Sequence, residues 1–130
     1  MNVIGIGTDI VEIARIAKMI DRHGENFIGK VFTLEEIRYS TGRAAAVQHF
    51  AARWAAKEAA LKALGTGWAK GIKWTDIGIQ NEGSGKPRLI LFNRAKEVAK
   101  EIGIEEVLIS ISHDKSQAIA FAIATGNLIN

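Results

Sequence analysis

Two carboxylates, Asp9 and Glu58, stand where the surrounding pattern calls for apolar or small residues. In the stretch FAARWAAKEAALKALGTG, Glu58 lies four residues after Trp54 and three before Leu61. These spacings place the three side chains on one face of a helix. Burying a lone carboxylate is costly unless a cation compensates it. Either Glu58 pairs with Lys62 at the edge of the apolar face, or its partner is a cation from outside the chain.

Asp9 lies in a glycine-rich segment, VIGIGTDIV, that is predicted to form a strand. Alternate side chains of a strand point to opposite faces, so Asp9 shares a face with Gly5 and Gly7. The opposite face carries Ile4, Ile6, Thr8 and Ile10. Two glycines beside an acid indicate that something approaches the backbone closely. The alternative is that Asp9 only ends the strand and begins a turn.

Together the two acids suit a magnesium ion. The chain has no cysteine, and no histidine stands close to either acid in sequence. Mg²⁺ prefers oxygen ligands and is typically held by one or two carboxylates plus substrate phosphates. Arg53, Lys57 and Lys62, on the same helix as Glu58, would suit the phosphates. The sequence therefore predicts a metal site at Asp9 and Glu58.

The elements that must position these residues alternate between strand and helix. A helix from about residue 12 to 22 follows the first strand, and the capping-box pair Thr33 and Glu36 opens a short helix near residue 34. A long helix covers about 44–64 and stops at Gly65. Strands are predicted at 72–80, 88–92, 105–112 and 117–124, with a helix at 93–102. We predict one domain over residues 1–130, of α+β class, with a largely antiparallel sheet packed against one long helix.

Composition narrows the class of protein. The 130 residues are 48% apolar and 24% charged, which is typical of a globular domain. The absence of cysteine favours a reducing compartment. Asp9 and Glu12 interrupt the N-terminal apolar segment too early for a signal peptide, and no run approaches the roughly 20 apolar residues of a membrane span. We predict a cytoplasmic protein without membrane contact, and the net charge of +3 favours an acidic partner.

The GSGKP turn is a second candidate anion site. It does not satisfy the P-loop pattern, because Gln80 stands where glycine is needed and Pro87 where Ser or Thr is needed. What remains is a glycine-rich turn with exposed N–H groups and Lys86. This turn either binds an anion weakly or only connects two strands.

A basic helix face and one histidine also admit two interpretations. Arg15, Lys18 and Arg22 fall at i, i+3 and i+7, with Met19 beside them. This face is either solvated surface or a docking patch for an acidic helix, with Met19 as an adaptable apolar contact. His113, at the end of LISISH, either binds phosphate or is structural.

Three segments in order resemble one enzyme family. GIGTDIVEIARI, FAARWAAKEAALKALGTG, and GKPRLIL followed by ISISHD are similar to holo-[acyl-carrier-protein] synthase, the short class of 4′-phosphopantetheinyl transferases. The specific feature is G-x-D near the terminus with W/F-x-x-K-E-x-x-x-K about fifty residues later. The resemblance covers nearly the whole chain, and only residues 39–48 look uncharacteristic.

The resemblance implies a Mg²⁺-dependent transfer of the phosphopantetheine arm of coenzyme A to a serine of acyl carrier protein, with release of adenosine 3′,5′-bisphosphate. It implies that Asp9 and Glu58 hold the metal and that Lys62 contacts phosphate at the reaction centre. The nucleotide side would be lined by Arg53, Gly65, Lys86, Pro87 and His113, and the carrier would dock on Arg15, Met19 and Arg22. It also implies a homotrimer with sites shared between subunits, serving fatty-acid or another biosynthesis.

A small basic RNA-binding module is the competing class. Its support is the net charge and the face of Arg15, Lys18 and Arg22. The predicted strands, however, lack the interleaved aromatic residues on which bases stack. We therefore expect no nucleic-acid partner.

Overall fold

The computed structural model describes residues 1–127. Within this range, five strands and five α-helices follow one another: β1 Asn2–Glu12, α1 Ile13–His23, α2 Glu25–Val31, α3 Leu34–Thr41, α4 Ala46–Leu64, β2 Ile77–Asn81, β3 Pro87–Leu91, α5 Asn93–Ile102, β4 Ile104–His113 and β5 Gln117–Gly126. A short 3₁₀ helix, Trp74–Asp76, precedes β2. Every strand pairing is antiparallel, which confirms the predicted α+β class.

The strands form two sheets. The larger has the order β1-β5-β4, and the smaller is the hairpin of β2 and β3. In the larger sheet Asp9 faces Ala120 of β5, and the alanines at 118, 120, 122 and 124 are fully or almost fully buried. Small side chains on this inner face let α4 lie close against the sheet. The outer face carries the exposed side chains of Ile6, Ile10, Phe121 and Ile123.

The glycines of β1 set the distance between that strand and α4. A Cβ atom at Gly5 would overlap the carbonyl oxygen of Ala63, and one at Gly7 would overlap that of Ala59. What approaches the glycine backbone is therefore the long helix. This contact brings Asp9, two residues further on the same face, up to the helix that carries Glu58 and Lys62.

The alternative for Asp9 is wrong, because β1 continues to Glu12 and Asp9 lies inside the strand. The predicted strand at 72–80 is wrong in its first half. Asp76 accepts a hydrogen bond from the backbone N–H of Lys73 (3.0 Å) and closes a 3₁₀ turn there. Helix α2 was not predicted, since its seven residues are too few for a clear helical period.

A fully buried ion pair joins α3 to α4. Lys57 Nζ lies 2.8 Å from the carboxylate of Glu36, and both side chains are 0% exposed. Lys57 also donates to the carbonyl oxygens of Val31 (2.8 Å), Ile77 (2.7 Å) and Trp74 (3.1 Å). Glu36 caps α3 through the N–H of Thr33 and accepts from that of Ile79 (both 2.8 Å). We call Glu36 and Lys57 the buried ion pair.

Within residues 1–127 none of the helices has the length and apolar character needed to span a membrane.

Candidate functional site

Asp9 and Lys62 meet where β1 crosses α4. Lys62 Nζ lies 3.3 Å from Asp9 Oδ1 and donates to the carbonyl oxygen of Thr8 at 2.8 Å. The Asp9 side chain is 17% exposed and that of Lys62 is 55% exposed. The alternative in which Glu58 forms an ion pair with Lys62 is therefore wrong, because Lys62 pairs with Asp9. Two contacts leave one of the three ammonium N–H groups free for a further acceptor.

Glu58 is half-buried one turn before Lys62. Burial raises the pKa of its carboxyl, the negative charge of Asp9 raises it further, and Trp68, Lys62 and Arg15 oppose the rise. The pKa of Asp9 is also raised by burial, against the opposing effects of Lys62 and Arg15. The two acids therefore lie within electrostatic reach of one another. We call Asp9, Glu58 and Lys62 the acid cluster.

The donor set of the acid cluster fits a magnesium ion. Both carboxyl groups are more costly to ionise than they would be in water, which is the environment that a bound cation relieves. Among residues 1–127 no group of three or more acidic, histidine or cysteine side chains is placed to hold a metal. A pair of carboxylates suits Mg²⁺ in particular, because this ion keeps several positions for water and substrate phosphate.

An aromatic stack borders the acid cluster. The rings of Trp54 and Trp74 have centroids 4.3 Å apart, and those of Trp74 and Trp68 are 4.0 Å apart. The guanidinium of Arg15 lies 5.7 Å from the centroid of Trp54. The proximity of Trp68 to Glu58 was missed, because no periodic pattern links a helix residue to a loop residue ten positions later.

Arg53 lies on the other side of α4. Its side chain is 4% exposed, donates to Asn81 and to the carbonyl oxygen of His49 (3.4 Å), and lies 4.2 Å from the ring centroid of Tyr39. In the described part of the chain, none of its hydrogen bonds reaches the acid cluster. The five residues from Arg53 to Glu58 turn an α-helix by about 140° from one side chain to the other, which explains the separation.

Further basic groups surround Arg53. Burial lowers the pKa of His49, and the charges of Arg53, Arg43 and His113 lower it further, which places these groups near one another. Arg43 lies 3.8 Å from the ring centroid of Tyr39. We call Arg43, His49, Arg53 and His113 the basic cluster. Sequence reasoning assigned no function to Arg43 or His49, since only the folded chain brings them to Arg53.

The other predicted nucleotide residues lie at chain reversals. Asn81, the partner of Arg53, also donates to the carbonyl oxygen of Gly85 (3.0 Å), so the turn that holds Lys86 and Pro87 is tied to Arg53. Pro87 pairs with Asn81 at the turn end of the β2–β3 hairpin. Gly65 caps α4 in the left-handed conformation, with φ 78°, as its position after the helix predicts.

The predicted docking residues lie along α1. Arg15, Lys18 and Arg22 are exposed, and Met19 is half-buried against the core. Since the charge of Arg15 lowers the pKa of both acids, the basic face of α1 begins beside the acid cluster.

Lys57 does not belong to a phosphate site. The sequence placed it with Arg53 and Lys62 as a phosphate ligand, but its ammonium group is fully buried and occupied by Glu36 and three carbonyl oxygens. That part of the prediction is wrong. The sequence did not show that Glu36 is the partner of Lys57, because the two are 21 residues apart and Glu36 also fits the pattern of an ordinary helix-capping residue.

Two surface cavities differ in their relation to these sites. One of about 450 Å³ lies on the outer sheet face and is lined by Lys62 together with Ile6, Gly7, Thr8, Phe121, Ala122 and Ile123. A larger one of about 730 Å³ lies between the β2–β3 hairpin and helices α2 and α3, and none of the predicted site residues lines it. The smaller cavity is therefore the one that adjoins the acid cluster.

Known proteins resemble this chain over nearly its whole length. The sequence model of the 4′-phosphopantetheinyl transferase superfamily matches residues 5–122. Holo-[acyl-carrier-protein] synthase from Koribacter versatilis is 44% identical over 121 residues, covering 93% of this chain and 97% of the relative. The synthase from Edwardsiella ictaluri is 42% identical over 126 residues, covering 97% of this chain and 100% of the relative.

Solved structures agree with the sequence relatives. The crystal structure of holo-[acyl-carrier-protein] synthase from Neisseria meningitidis superposes with a TM-score of 0.89 at 35% identity, covering 95% of this chain and 99% of that one. The Helicobacter pylori enzyme in complex with coenzyme A gives 0.82 at 33% identity, covering 92% and 99%. The chain belongs to the 4′-phosphopantetheinyl transferase superfamily, in its holo-[acyl-carrier-protein] synthase family.

Proposed function

We propose that this protein transfers the 4′-phosphopantetheine group of coenzyme A to a serine of apo acyl carrier protein, in a Mg²⁺-dependent reaction that releases adenosine 3′,5′-bisphosphate. The observation that carries this proposal is the meeting of Asp9, Glu58 and Lys62 at the crossing of β1 and α4. The names of the relatives and the coenzyme A complex of the Helicobacter pylori enzyme support the substrates.

Asp9 and Glu58 would hold the magnesium ion. When bound, Mg²⁺ neutralises charge on the diphosphate of coenzyme A and orients it. The remaining N–H group of Lys62 is free to donate to a phosphate oxygen, and its exposed side chain reaches solvent beside the two acids. Since phosphoryl transfer depends chiefly on placement and charge neutralisation, these three groups supply most of what the reaction needs.

The serine oxygen of the carrier attacks the phosphorus next to the pantetheine arm. The bond from that phosphorus to the bridging oxygen breaks, and the oxygen leaves with adenosine 3′,5′-bisphosphate. The serine proton needs an acceptor, for which we propose Glu58. Glu58 lies one turn before Lys62 on α4, so its carboxylate stands beside the group that would contact the reacting phosphate.

The nucleotide is proposed to lie on the basic cluster and on the turn that carries Lys86 and Pro87, with Gly65 beside the acid cluster. Arg53 Nε is buried and has no hydrogen-bond partner in the described residues. A phosphate oxygen would accept a hydrogen bond from Arg53 Nε, and its negative charge would compensate the positive charge of the basic cluster. The carrier is proposed to dock on Arg15, Met19 and Arg22, since an acidic partner suits this exposed basic face next to the acids.

We propose a homotrimer in which the outer sheet face contacts a second copy of the chain. Exposed apolar side chains share this face, with Ile6 72%, Ile10 57%, Phe121 53% and Ile123 40% exposed. A contiguous apolar patch on a sheet is typical of an interface. Because the acid and basic clusters lie on different sides of α4, an active site assembled from two chains would unite them.

The assembly is tested by sedimentation of Phe121→Asp. A charge at the centre of the outer sheet face should dissociate the trimer, because an unpaired carboxylate cannot be buried there. Leu34→Asp is the matched control, since Leu34 is 72% exposed but lies away from this face. A wild-type monomer, or a Phe121→Asp trimer, would contradict the proposal and leave the chemistry open.

The activity is tested by mass spectrometry of the acyl carrier protein. The protein is mixed with apo acyl carrier protein, coenzyme A and Mg²⁺, and the expected mass gain is one phosphopantetheine group, lost in Asp9→Ala and without Mg²⁺. No gain on any acyl or peptidyl carrier would overturn the proposal. The single-domain organisation, the cytoplasmic location and the absence of nucleic-acid and membrane partners stay predictions.

A further inference from the structure

Trp68 presents a polar group that the transfer reaction as described does not use. Its indole Nε1 is buried and has no hydrogen-bond partner in residues 1–127. It lies close enough to the carboxylate of Glu58 to lower the pKa of that group, although hydrogen-bond geometry is not reached. A buried donor without a partner is uncommon and costs free energy, so its retention beside a carboxylate requires an explanation.

The ring of Trp68 is held in place by its neighbours. It packs at a tilt of 37° against Trp74, with ring centroids 4.0 Å apart, and Trp74 stacks at 4.3 Å on Trp54 of α4. The carbonyl oxygen of Trp74 accepts a hydrogen bond from Lys57 at 3.1 Å. Lys57, which holds the backbone of Trp74, directly precedes Glu58 on α4. Trp54 and Glu58 are four residues apart and share a face of α4, so this series of rings places Trp68 on the side of the helix that carries Glu58.

We propose that Trp68 is a positioning residue for the metal site: in the metal-bound protein its indole N–H donates to one oxygen of Glu58 and leaves the other oxygen directed at the ion. This role rests on the magnesium site proposed above. A carboxylate with two free oxygens can turn, whereas one held by a neutral donor presents a single orientation. Loss of such supporting hydrogen bonds typically weakens metal binding by about 10–100-fold.

The test compares Trp68→Phe with Trp74→Phe. Both changes keep an aromatic ring in the stack, but only the first removes the N–H beside Glu58. Mn²⁺ serves as the probe because it prefers the same oxygen ligands as Mg²⁺. Its affinity is measured by water-proton relaxation on the intact protein with coenzyme A and without carrier, and thermal unfolding is followed for both variants.

We expect Trp68→Phe to bind Mn²⁺ about tenfold more weakly than wild type, and Trp74→Phe to bind within about twofold of it. Equal affinity of Trp68→Phe and wild type would overturn the role of Trp68 alone. Equal weakening in both variants would also overturn it, since that result assigns the effect to packing. A wild-type protein that binds no Mn²⁺ would overturn both the metal site and the role of Trp68.

An NMR measurement covers the case in which Trp68→Phe does not fold. The three indole N–H resonances of the ¹⁵N-labelled wild type are assigned by subtraction with Trp54→Phe and Trp74→Phe. With coenzyme A present, Mg²⁺ should move the Trp68 resonance downfield and slow its exchange with solvent. A Trp68 resonance that does not respond, in a protein that binds Mg²⁺, contradicts the proposal.

Discussion

Two lysines five residues apart on α4 each contact a carboxylate, and their surroundings differ completely. Lys57 and Glu36 are sealed from solvent, and every charge-bearing atom of the pair has a protein partner. Lys62 and Asp9 are partly exposed, and a second carboxylate, Glu58, stands nearby without an ion-pair partner of its own in the described chain. The buried ion pair is saturated, whereas the acid cluster carries more negative charge than its lysine neutralises.

This contrast distinguishes a structural ion pair from a functional one. Breaking a saturated buried pair leaves a charge uncompensated and destabilises the fold. The acid cluster destabilises the fold slightly as it stands, because both of its carboxyl groups have raised pKa values. Residues with perturbed pKa values in an open site are candidates for function. Both sites contain a lysine and a carboxylate, so charge alone does not distinguish the structural pair from the functional one. The acid cluster differs because its carboxylates can still bind a further cation.

The largest effect is expected for Glu58→Gln, measured as carrier modification. Loss of a metal ligand and proton acceptor should lower kcat/KM by about 10⁴-fold, which corresponds to about 5 kcal/mol. The free energy of unfolding should stay unchanged or rise slightly, since the variant removes the repulsion between Glu58 and Asp9. Normal turnover with Mg²⁺ would remove Glu58 from the reaction.

The same substitution in the buried ion pair should have the reverse result. Glu36→Gln leaves the ammonium of Lys57 buried without its counter-charge and should lower the free energy of unfolding by about 3–5 kcal/mol. At temperatures where the variant is folded, carrier modification per folded molecule should stay within about tenfold of wild type. Urea unfolding and the mass assay are run on both glutamine variants. Together they show whether Glu58→Gln affects chiefly activity and Glu36→Gln chiefly stability.

The double variant Glu36→Gln with Lys57→Met serves as the control. Because no charge is then left unpaired, it should be more stable than Glu36→Gln. A double variant less stable than the single one would show that the hydrogen bonds of Lys57 matter more than its charge, and the contrast with the acid cluster would weaken.

The smallest effect is a pH dependence confined to the acid cluster. A carboxyl whose pKa is raised on folding binds protons more tightly in the folded state, so stability falls as pH rises through that pKa. The ordinary values are 3.8 for Asp9 and 4.5 for Glu58, and both are raised here. Wild type should therefore lose stability between about pH 4.5 and neutrality relative to Glu58→Gln.

The measurement is urea unfolding of both proteins across that range, without divalent ions. Lys62 and Arg15, the cations that face the two acids, are present in both proteins, so the comparison isolates the contribution of Glu58. Parallel curves for wild type and Glu58→Gln would mean that solvent screens the acid cluster fully. Added Mg²⁺ should stabilise wild type more at pH 7 than at pH 5, since the ion competes with protons.

Local patterns predicted most of the elements. The capping box at Thr33 and Glu36 and the glycine after α4 located helix ends, because these signals act through contacts within a few residues. The 3₁₀ turn at Trp74–Asp76 read as a strand, since its apolar residues alternate while its shape depends on one side-chain hydrogen bond. The outer sheet face is equally apolar in sequence, and only the fold shows that it is exposed.

The sequence by itself determined the family, through three motifs in order, and it made Asp9, Glu58 and Lys62 candidates, because a charged residue on an otherwise apolar or bare face shows in the helical and strand spacing. Only the tertiary structure decided which lysine pairs with which acid. Adjacent residues on a helix point about 100° apart, so Lys57 enters the core and meets Glu36, while Glu58 turns towards Asp9 and Trp68. Such pairings depend on which distant segment packs against each face of α4, and no spacing within the helix records that.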